Sequence, residues 1–330
     1  MAGPELAVTV SRAKGLGFIG PNTTIEGQSA DLEQARKLIS SGPASPFQVD
    51  PKKQEADRTL PIGIGFQLWD SDMRLAASLV KTHQPCAAWL FAPRNGQEEI
   101  DSWTSSIRNA SPNTQIWLQV GTLHEAVIAT QSKNRPDVLV IQGSEAGGHG
   151  RATDGTSIMT LFPEVADKIR DSGIPLLAAG GIADGRGVVA ALGLGAAGII
   201  MGTRFLAARE ARISKGYQQE IVRATDGGVA TTRTMIYNHL RGTMGWPEQF
   251  SPRGLTNRSF TDHQAGVTFE KLQALYQEAV KTGDSGWGPE GRLATYAGTA
   301  VGLIQEVQAA GEIVEWTREE AKAIIQSLVI

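Results

Sequence analysis

Val138–Arg151 reads VLVIQGSEAGGHGR, and it is the stretch that decides the fold. It opens with an uninterrupted apolar run, VLVI, which is typical of a strand buried on both faces of a parallel sheet. A glycine-rich polar turn follows, and it carries Gln142, Glu145 and His149. Parallel α/β folds bind their ligands just beyond the carboxyl ends of such strands. We therefore predict a functional site at this turn.

Similar apolar runs alternate with helical patterns through the first 210 residues, and we predict a strand at each. Besides Val138–Ile141 they are Leu16–Ile19, Pro61–Phe66, Ala87–Phe91, Gln115–Val120, Leu176–Ala179 and Gly198–Met201. The predicted helices are Pro4–Arg12, Thr122–Gln131 with a capping box at Thr122–Glu125, Thr160–Ser172, and Ala183–Leu192 with a cap at Asp184. A repeat of roughly 25 residues favours parallel strands joined by right-handed crossovers.

This repetition predicts a (β/α)₈ TIM barrel. The runs supply seven strands instead of eight, and the chain opens on a helix, as if the first strand of the barrel were lacking. We assign residues 1–210 to the barrel and its site. Residues 211–330 are predicted to form a mainly helical cap over the barrel mouth, whose last helices are candidates to complete the barrel.

Several segments depart from the strand–helix pattern. Ser40–Arg58 is rich in Ser, Pro, Lys and Asp and predicts a long loop. Arg233–Arg258 predicts irregular structure, because it mixes glycine, proline and aromatic residues. Further helices are predicted over Thr268–Thr282 and from Thr317 onward, where Thr317–Glu320 has the pattern of a second capping box.

Composition excludes several classes of protein. With 41% hydrophobic and 20% charged residues, the chain can form a large core. A net charge of −3 gives no strong basic field for nucleic acid or an anionic membrane. Cys86 is the only cysteine, which excludes an internal disulfide and predicts a small buried hydrophobe. No apolar run approaches about 18 residues, and no secretory signal follows Met1, so we expect a cytoplasmic protein without a membrane span.

Two more glycine turns follow predicted strands. Leu176–Ile182 reads LLAAGGI and Gly198–Phe205 reads GIIMGTRF. In (β/α)₈ barrels the loops after the last two strands commonly bind phosphate through backbone N–H groups. Gly180 and Gly181, with Gly202 and Thr203, suit that role, although each turn alone is also compatible with a tight connection that binds nothing. Three such turns at one edge of the sheet favour phosphate.

His149 is the strongest candidate for chemistry, because an imidazole beside a phosphate site can act as a base or as a hydrogen-bond donor near neutral pH. A metal role is not favoured, since no second histidine lies at ligand spacing. Glu145 is either a second acid–base group or an acceptor for the amides of its own turn. Serine-hydrolase, Walker-type, zinc-protease and dinucleotide-binding motifs are absent from the sequence. A phosphate-bearing cofactor such as a flavin fits best.

The segments QGSEAGGHGR, AAGGI and MGTRF, in this order and spacing, resemble the nitronate monooxygenase family, formerly the 2-nitropropane dioxygenases. PELAVTVSRAKGLGFIG near the start and YAGTAVGLI (Tyr296–Ile304) near the end extend the resemblance over most of the chain. It implies an FMN-dependent (β/α)₈ barrel. Such enzymes oxidise alkyl nitronates, and in some members nitroalkanes, with O₂ to carbonyl compounds and nitrite.

The resemblance also implies roles for individual residues. His149 matches the catalytic histidine, and Gln142 and Gly147 would lie beside the flavin. Gly180 and Gly181, with Gly202 and Thr203, would hold its phosphate, and Met201 is a further predicted cofactor-binding residue.

Two departures from the family pattern stand out. The strand PIGIGFQLW offers Gly65 or Gln67 where members carry an asparagine, and the A-P-M-x-G strand that opens the family pattern is not present.

Two other functions fit the same residues. One is an FMN enoyl-thioester reductase that uses NAD(P)H, because relatives of that kind share a similar glycine–histidine loop. The other is an inactive or accessory paralogue of the flavin barrel, which the lacking first strand would favour. The expected partners are a small nitronate or nitroalkane and O₂, with no nucleic acid and no membrane, and a homodimer is compatible with the sequence.

Overall fold

A computed structural model describes residues 1–21, 24–42, 59–288 and 290–328. The strands of this part of the chain are β1 (Phe18–Ile19), β2 (Leu60–Gln67), β3 (Pro85–Phe91), β4 (Gln115–Val120), β5 (Val138–Gln142), β6 (Gly148–Arg151), β7 (Leu176–Ala179), β8 (Gly198–Ile200), β9 (Thr231–Arg233) and β10 (Phe250–Leu255). They form a seven-stranded sheet in the order β1-β2-β3-β4-β5-β7-β8 and a three-stranded sheet in the order β6-β10-β9.

The α-helices of the described residues lie mainly between the strands of the large sheet or after it. They are α1 (Pro4–Arg12), α2 (Ile25–Ser41), α3 (Met73–His83), α4 (Gly96–Ala110), α5 (Leu123–Gln131), α6 (Ile158–Lys168), α7 (Gly185–Gly193), α8 (Thr203–Leu206), α9 (Lys215–Arg223), α10 (Gly227–Ala230), α11 (Ile236–Leu240), α12 (Arg258–Gln264), α13 (Phe269–Lys281) and α14 (Ala310–Leu328).

Every neighbouring pair of strands in the large sheet is parallel, which confirms the predicted strand–helix repetition. The apolar residues of β5 are buried, with Leu139 and Ile141 packed in the main core and Val140 on the opposite face. Inside the curled sheet, Phe18 packs edge-on to Trp89 at 5.3 Å and lies 5.0 Å from Trp117, measured between ring centroids. This two-sided burial explains the uninterrupted apolar runs.

The helix boundaries follow the predicted caps closely. Thr122 and Glu125 form the capping box of α5, and Asp184 accepts two backbone hydrogen bonds at the start of α7. The helix predicted from Thr160 begins earlier, because Ser157 caps α6. It ends as a 3₁₀ turn at Gly173, which has a φ of 69°.

In the described part of the chain, β1 and β8 are the two edges of the large sheet, and β8 is only partly buried. The first residues lie between these edges: the N–H of Gly20, just after β1, donates to the carbonyl of Ala2 at 2.9 Å, and the N–H of Arg212 donates to that of Met1 at 2.9 Å. The last helix, α14, packs against both α1 and α7 and shares an apolar layer with α1. The seven strands predicted from the sequence thus correspond to the seven strands of the large sheet in the described residues.

The prediction of irregular structure over Arg233–Arg258 was wrong. This segment contains the end of β9, helix α11 and strand β10, and β10 pairs antiparallel with β6, the second half of the glycine–histidine turn. The described part of residues 211–330 therefore contains strands β9 and β10 in addition to its helices. β6 and β9 are short, and β10 contains Pro252 and Gly254, so none of them shows the alternation that marks a strand.

Two further predictions need correction. Thr317 does not start a helix: it lies inside α14, and Glu320 accepts a hydrogen bond from the N–H of Gly185 at 2.7 Å instead of closing a capping box. The predicted loop Ser40–Arg58 begins too early, because Ser40 and Ser41 still belong to α2. Residues 43–58 of that loop lie outside the described residues.

Candidate active site

Strand β6 holds His149 beside the carboxyl end of β5. His149 faces Pro252 across the antiparallel pair of β6 and β10. The side chain of Gln142, the last residue of β5, donates to the carbonyl of His149 at 3.3 Å. The two site residues predicted on this turn therefore meet. The local fold that fixes them is the small sheet, which the sequence analysis did not foresee.

The His149 ring is surrounded by residues from the C-terminal third of the chain. Its Nε2 atom lies 2.8 Å from Nδ2 of Asn238. The indole of Trp246 stacks on it, with 3.5 Å between ring centroids and 6° between planes. Burial, followed by the charges of Arg233 and Arg241, lowers the pKa of His149 to about 3. The ring is therefore neutral at pH 7.

Aromatic side chains cover the mouth of the large sheet next to His149. Measured between ring centroids, Trp246 lies 4.9 Å from Trp69 and 6.4 Å from Phe91, the last residue of β3. The ring of Phe91 lies 5.1 Å from that of Phe250. A cavity of about 470 Å³ adjoins this cluster, and Arg233, Met235, His239, Trp246 and Phe250 are among the residues that line it. A pocket lined by aromatic side chains and a few polar groups suits a small apolar substrate with one polar group.

The predicted phosphate turns have the expected backbone geometry. Gly180 and Gly181 have φ values of 103° and 73°, which side-chain-bearing residues rarely adopt. A Cβ atom added to Gly202 would meet nothing within 4 Å. In the described residues, no acceptor bonds to the N–H groups of Gly181 or Gly202. Two free donors therefore lie at the ends of the adjacent strands β7 and β8.

The remaining predicted cofactor residues play different parts. Thr203 uses its hydroxyl to accept a hydrogen bond from the N–H of Gly298 at 3.0 Å. Gly147 packs against the same segment, since an added Cβ would lie 2.4 Å from the nitrogen of Gly298 and 2.5 Å from the carbonyl carbon of Ala297. The Met201 side chain packs into the apolar layer of α1 and α14.

Glu145 binds the start of α6, and not the amides of its own turn as one of the two interpretations of the sequence predicted. Its carboxylate accepts from the hydroxyl of Ser157 at 2.5 Å and from the N–H of Ile158 at 3.1 Å. These bonds place it at the start of α6. Glu145 therefore links the glycine–histidine turn to α6.

Arg233 ties the glycine–histidine turn to the small sheet. Its guanidinium donates to the carbonyls of Ser251 at 2.6 Å, Gly148 at 3.2 Å, and Ser144 and Ala146 at 3.3 Å. Burial, followed by the charge of Arg253, lowers the pKa of Arg233 to about 10. Arg233 stays charged at pH 7, so it contributes a positive potential to the site.

Four further site residues were not predicted from the sequence: Asn238, Trp246, Arg233 and Arg241. All four lie in or at the edge of the segment read as irregular, and no local pattern marks them. Tyr296 is the first residue of YAGTAVGLI, a segment that carries the family resemblance, but the resemblance implies no role for it.

The environments of other candidate groups follow from their positions. Cys86 is partly buried, where the sequence predicted a buried residue, and burial raises the pKa of its thiol to about 12, which keeps the thiol protonated at pH 7. Within residues 1–21, 24–42, 59–288 and 290–328, no cluster of three or more His, Cys, Asp or Glu side chains could hold a metal ion. None of the helices in those ranges is long and apolar enough to cross a bilayer.

A curled parallel sheet with glycine turns at its carboxyl edge and a histidine held beside them defines a (β/α)-barrel enzyme. The sequence model described as nitronate monooxygenase matches residues 1–316. The chain belongs to this family of flavin-dependent oxidoreductases.

Individual relatives agree with this assignment. "Nitronate monooxygenase npaC" of Metarhizium robertsii is 58% identical over 329 residues, which cover 100% of this chain and 90% of the relative. "Nitronate monooxygenase" of Neurospora crassa is 34% identical over 355 residues, with 99% of this chain and 88% of the relative covered. The solved nitroalkane oxidase from Streptomyces ansochromogenes shares the fold, with a TM-score of 0.72, 22% identity, and coverage of 99% of this chain and 94% of that chain.

Proposed function

We propose that this protein oxidises alkyl nitronates with O₂ to carbonyl compounds and nitrite, with FMN as its flavin. One observation carries the proposal: the neutral ring of His149, the free N–H groups of Gly181 and Gly202, and an aromatic pocket all lie at one edge of the parallel sheet. A cytoplasmic location, a homodimer and the division at residue 210 stay predictions from the sequence.

The turns after β7 and β8 fit the phosphate of FMN. Phosphate oxygens accept hydrogen bonds, and two unpaired N–H groups on adjacent strands offer donors to them. The open space at Gly202 leaves room for the group. Gly180, Gly181, Gly202 and Thr203 would hold the phosphate, while Gln142 and Gly147 would border the ring. When bound, the flavin supplies the electron transfer between the organic substrate and O₂.

The residues around His149 suit an anionic substrate. A nitronate carries a negative charge, and Arg233 and Arg241 give the site a positive potential that favours it. The aromatic cluster of Trp69, Phe91 and Trp246 offers apolar surface for the alkyl part and displaces water. His149 would contact the nitro oxygens and orient them.

The function is tested with the purified protein. We expect a yellow protein that consumes O₂ and releases nitrite when a preformed nitronate is added. An enoyl-thioester reductase would instead oxidise NAD(P)H only when an enoyl thioester is present. A colourless protein that takes up no FMN on reconstitution would overturn both enzyme functions and support the accessory paralogue.

The phosphate assignment leads to a prediction about Gly202. Its φ is −105° and no atom crowds an added Cβ, so Gly202→Asp should fold normally. The carboxylate of the new aspartate would repel the phosphate, so we expect the Kd for FMN to rise about 100-fold. That change corresponds to a loss of roughly 2.7 kcal/mol in binding free energy. Fluorescence titration of the apoprotein with FMN measures it. Gly202→Asn is the control with the same shape and no charge, and equal affinity in the two variants would contradict the assignment.

A further inference from the structure

A buried asparagine connects His149 to a tyrosine. Asn238 lies on α11 and is 1% exposed. The hydroxyl of Tyr296 donates to Oδ1 of Asn238 at 2.7 Å, and Nδ2 of Asn238 lies 2.8 Å from Nε2 of His149. Both ends of the amide are therefore engaged, one by a phenol and the other by the imidazole.

Which group donates in each of these hydrogen bonds follows from the chemistry of the side chains. The guanidinium of Arg241 lies 5.6 Å from the ring centroid of Tyr296 and can only donate hydrogen bonds. The phenol is thus free to use its own proton toward Asn238. Since Oδ1 then accepts, Nδ2 must donate to the imidazole, and Nε2 of His149 is the unprotonated nitrogen.

We propose that Asn238 is a positioning residue that fixes the Nδ1–H tautomer of His149, so that the ring offers substrate a hydrogen-bond donor and the site prefers preformed nitronates to neutral nitroalkanes. Nδ1 has no protein partner in the described part of the chain and is not fully buried, so it is the atom left for substrate. The substrate preference rests on the proposed function, whereas the tautomer does not.

The charges around the ring support a donor. The charged groups that act on His149 are Arg233 on β9 and Arg241 after α11, and with burial they lower its pKa. No carboxylate in the described residues bonds to the ring. A nitroalkane must lose a proton from carbon before oxidation, and this environment opposes an imidazolium. A nitronate has already lost that proton and needs only a donor.

The tautomer is measured directly by NMR. In ¹⁵N-labelled protein, long-range ¹H–¹⁵N spectra separate protonated from unprotonated ring nitrogens, and His149→Gln assigns the signal among the five histidines. We expect Nδ1–H in the wild type. Asn238→Asp replaces the donor with an acceptor, and we expect the proton to move to Nε2. Asn109→Asp, on the exposed surface of α4, adds the same charge far away and should change nothing.

Kinetics test the consequence for substrate choice. In Asn238→Asp we expect kcat/KM for a nitronate to fall about 10- to 100-fold, as for the loss of a hydrogen bond to a charged group. The kcat/KM for the parent nitroalkane should fall less or rise, because an aspartate partner makes His149 a stronger base. The ratio of the two therefore shifts toward the nitroalkane.

The outcomes separate the two proposals. An Nε2–H ring in the wild type overturns the inference even in an active enzyme, and so does an unchanged substrate ratio in Asn238→Asp. If that variant does not fold, Tyr296→Phe serves instead: it removes the proton that orients the amide, and a single unchanged tautomer overturns the assigned direction. An Nδ1–H ring in a protein without nitronate turnover overturns the proposed function and leaves the tautomer intact.

Discussion

His149→Ala is expected to bind flavin normally and to lose about 100-fold in kcat/KM toward a nitronate. In the described residues, one ring nitrogen of His149 has no protein partner, and the loss of a hydrogen bond to a charged substrate removes up to about 3 kcal/mol. Among the described residues, no hydrogen bond joins this ring to Gly181 or Gly202, the residues proposed to hold the phosphate, so cofactor affinity should not change. Nitrite release at several nitronate concentrations, with FMN content measured from the visible spectrum, gives both quantities.

The matched control is His124→Ala. His124 is exposed in the first turn of α5. Its loss should leave both nitrite release and FMN content at the wild-type level. Equal kcat/KM in His149→Ala and wild type would remove His149 from the site, whereas a loss of flavin in His149→Ala would mean that the ring belongs to the cofactor pocket instead of the substrate side.

The large sheet could be predicted well because each of its strands is marked by a pattern within a short stretch of sequence. A strand covered on both faces must be apolar at successive positions, so β4 and β7 match the predicted runs Gln115–Val120 and Leu176–Ala179 at both ends. The caps were equally visible, since Thr122 and Asp184 bond to residues only two or three positions away. β1 was predicted to be longer, over Leu16–Ile19, because its first apolar residues pack inside the sheet without pairing as a strand.

In the site, too, features set by neighbouring residues could be predicted and contacts between distant residues could not. The half that we propose for the cofactor consists of glycine turns that directly follow strands, and such turns are visible in the sequence. Its substrate half depends on contacts between residues far apart: Asn238 meets His149 across 89 positions, and Tyr296 meets Asn238 across 58. No period or motif encodes these meetings. They arise because β10 pairs with β6, and that pairing brings the segment after β9 over the mouth of the sheet.

Trp246 shows how this segment shapes the substrate side. Gly242 and Gly245 adopt φ values of 74° and 85°, so the chain before the tryptophan turns sharply twice. The indole then lies flat on His149 and covers one face of the ring. Substrate can approach only the other face or the exposed edge. The indole thus acts with Asn238: one limits access to the ring, and the other sets which nitrogen carries the proton.

Arg233→Met is expected to lower the free energy of unfolding by about 3 kcal/mol or more, because it leaves buried carbonyl groups without their donor. The guanidinium serves four carbonyls, of which those of Ser144, Ala146 and Gly148 belong to the glycine–histidine turn. A methionine has similar length and fills the space but donates nothing. Because the turn carries His149, nitronate turnover should fall with stability. Denaturant unfolding followed by tryptophan fluorescence measures the first quantity, and nitrite release measures the second.

Arg258→Met provides the comparison for this variant. The Arg258 side chain is 50% exposed and pairs with Asp262 and Glu290 on the surface, where such pairs contribute at most about 1 kcal/mol. Arg233→Lys should be intermediate, since an ammonium keeps the charge but cannot reach four carbonyls in a fork. If Arg233→Met were no less stable than Arg258→Met, the four carbonyls would not depend on the guanidinium, and the turn around His149 would have to be ordered by Glu145 and the pairing of β6 with β10 alone.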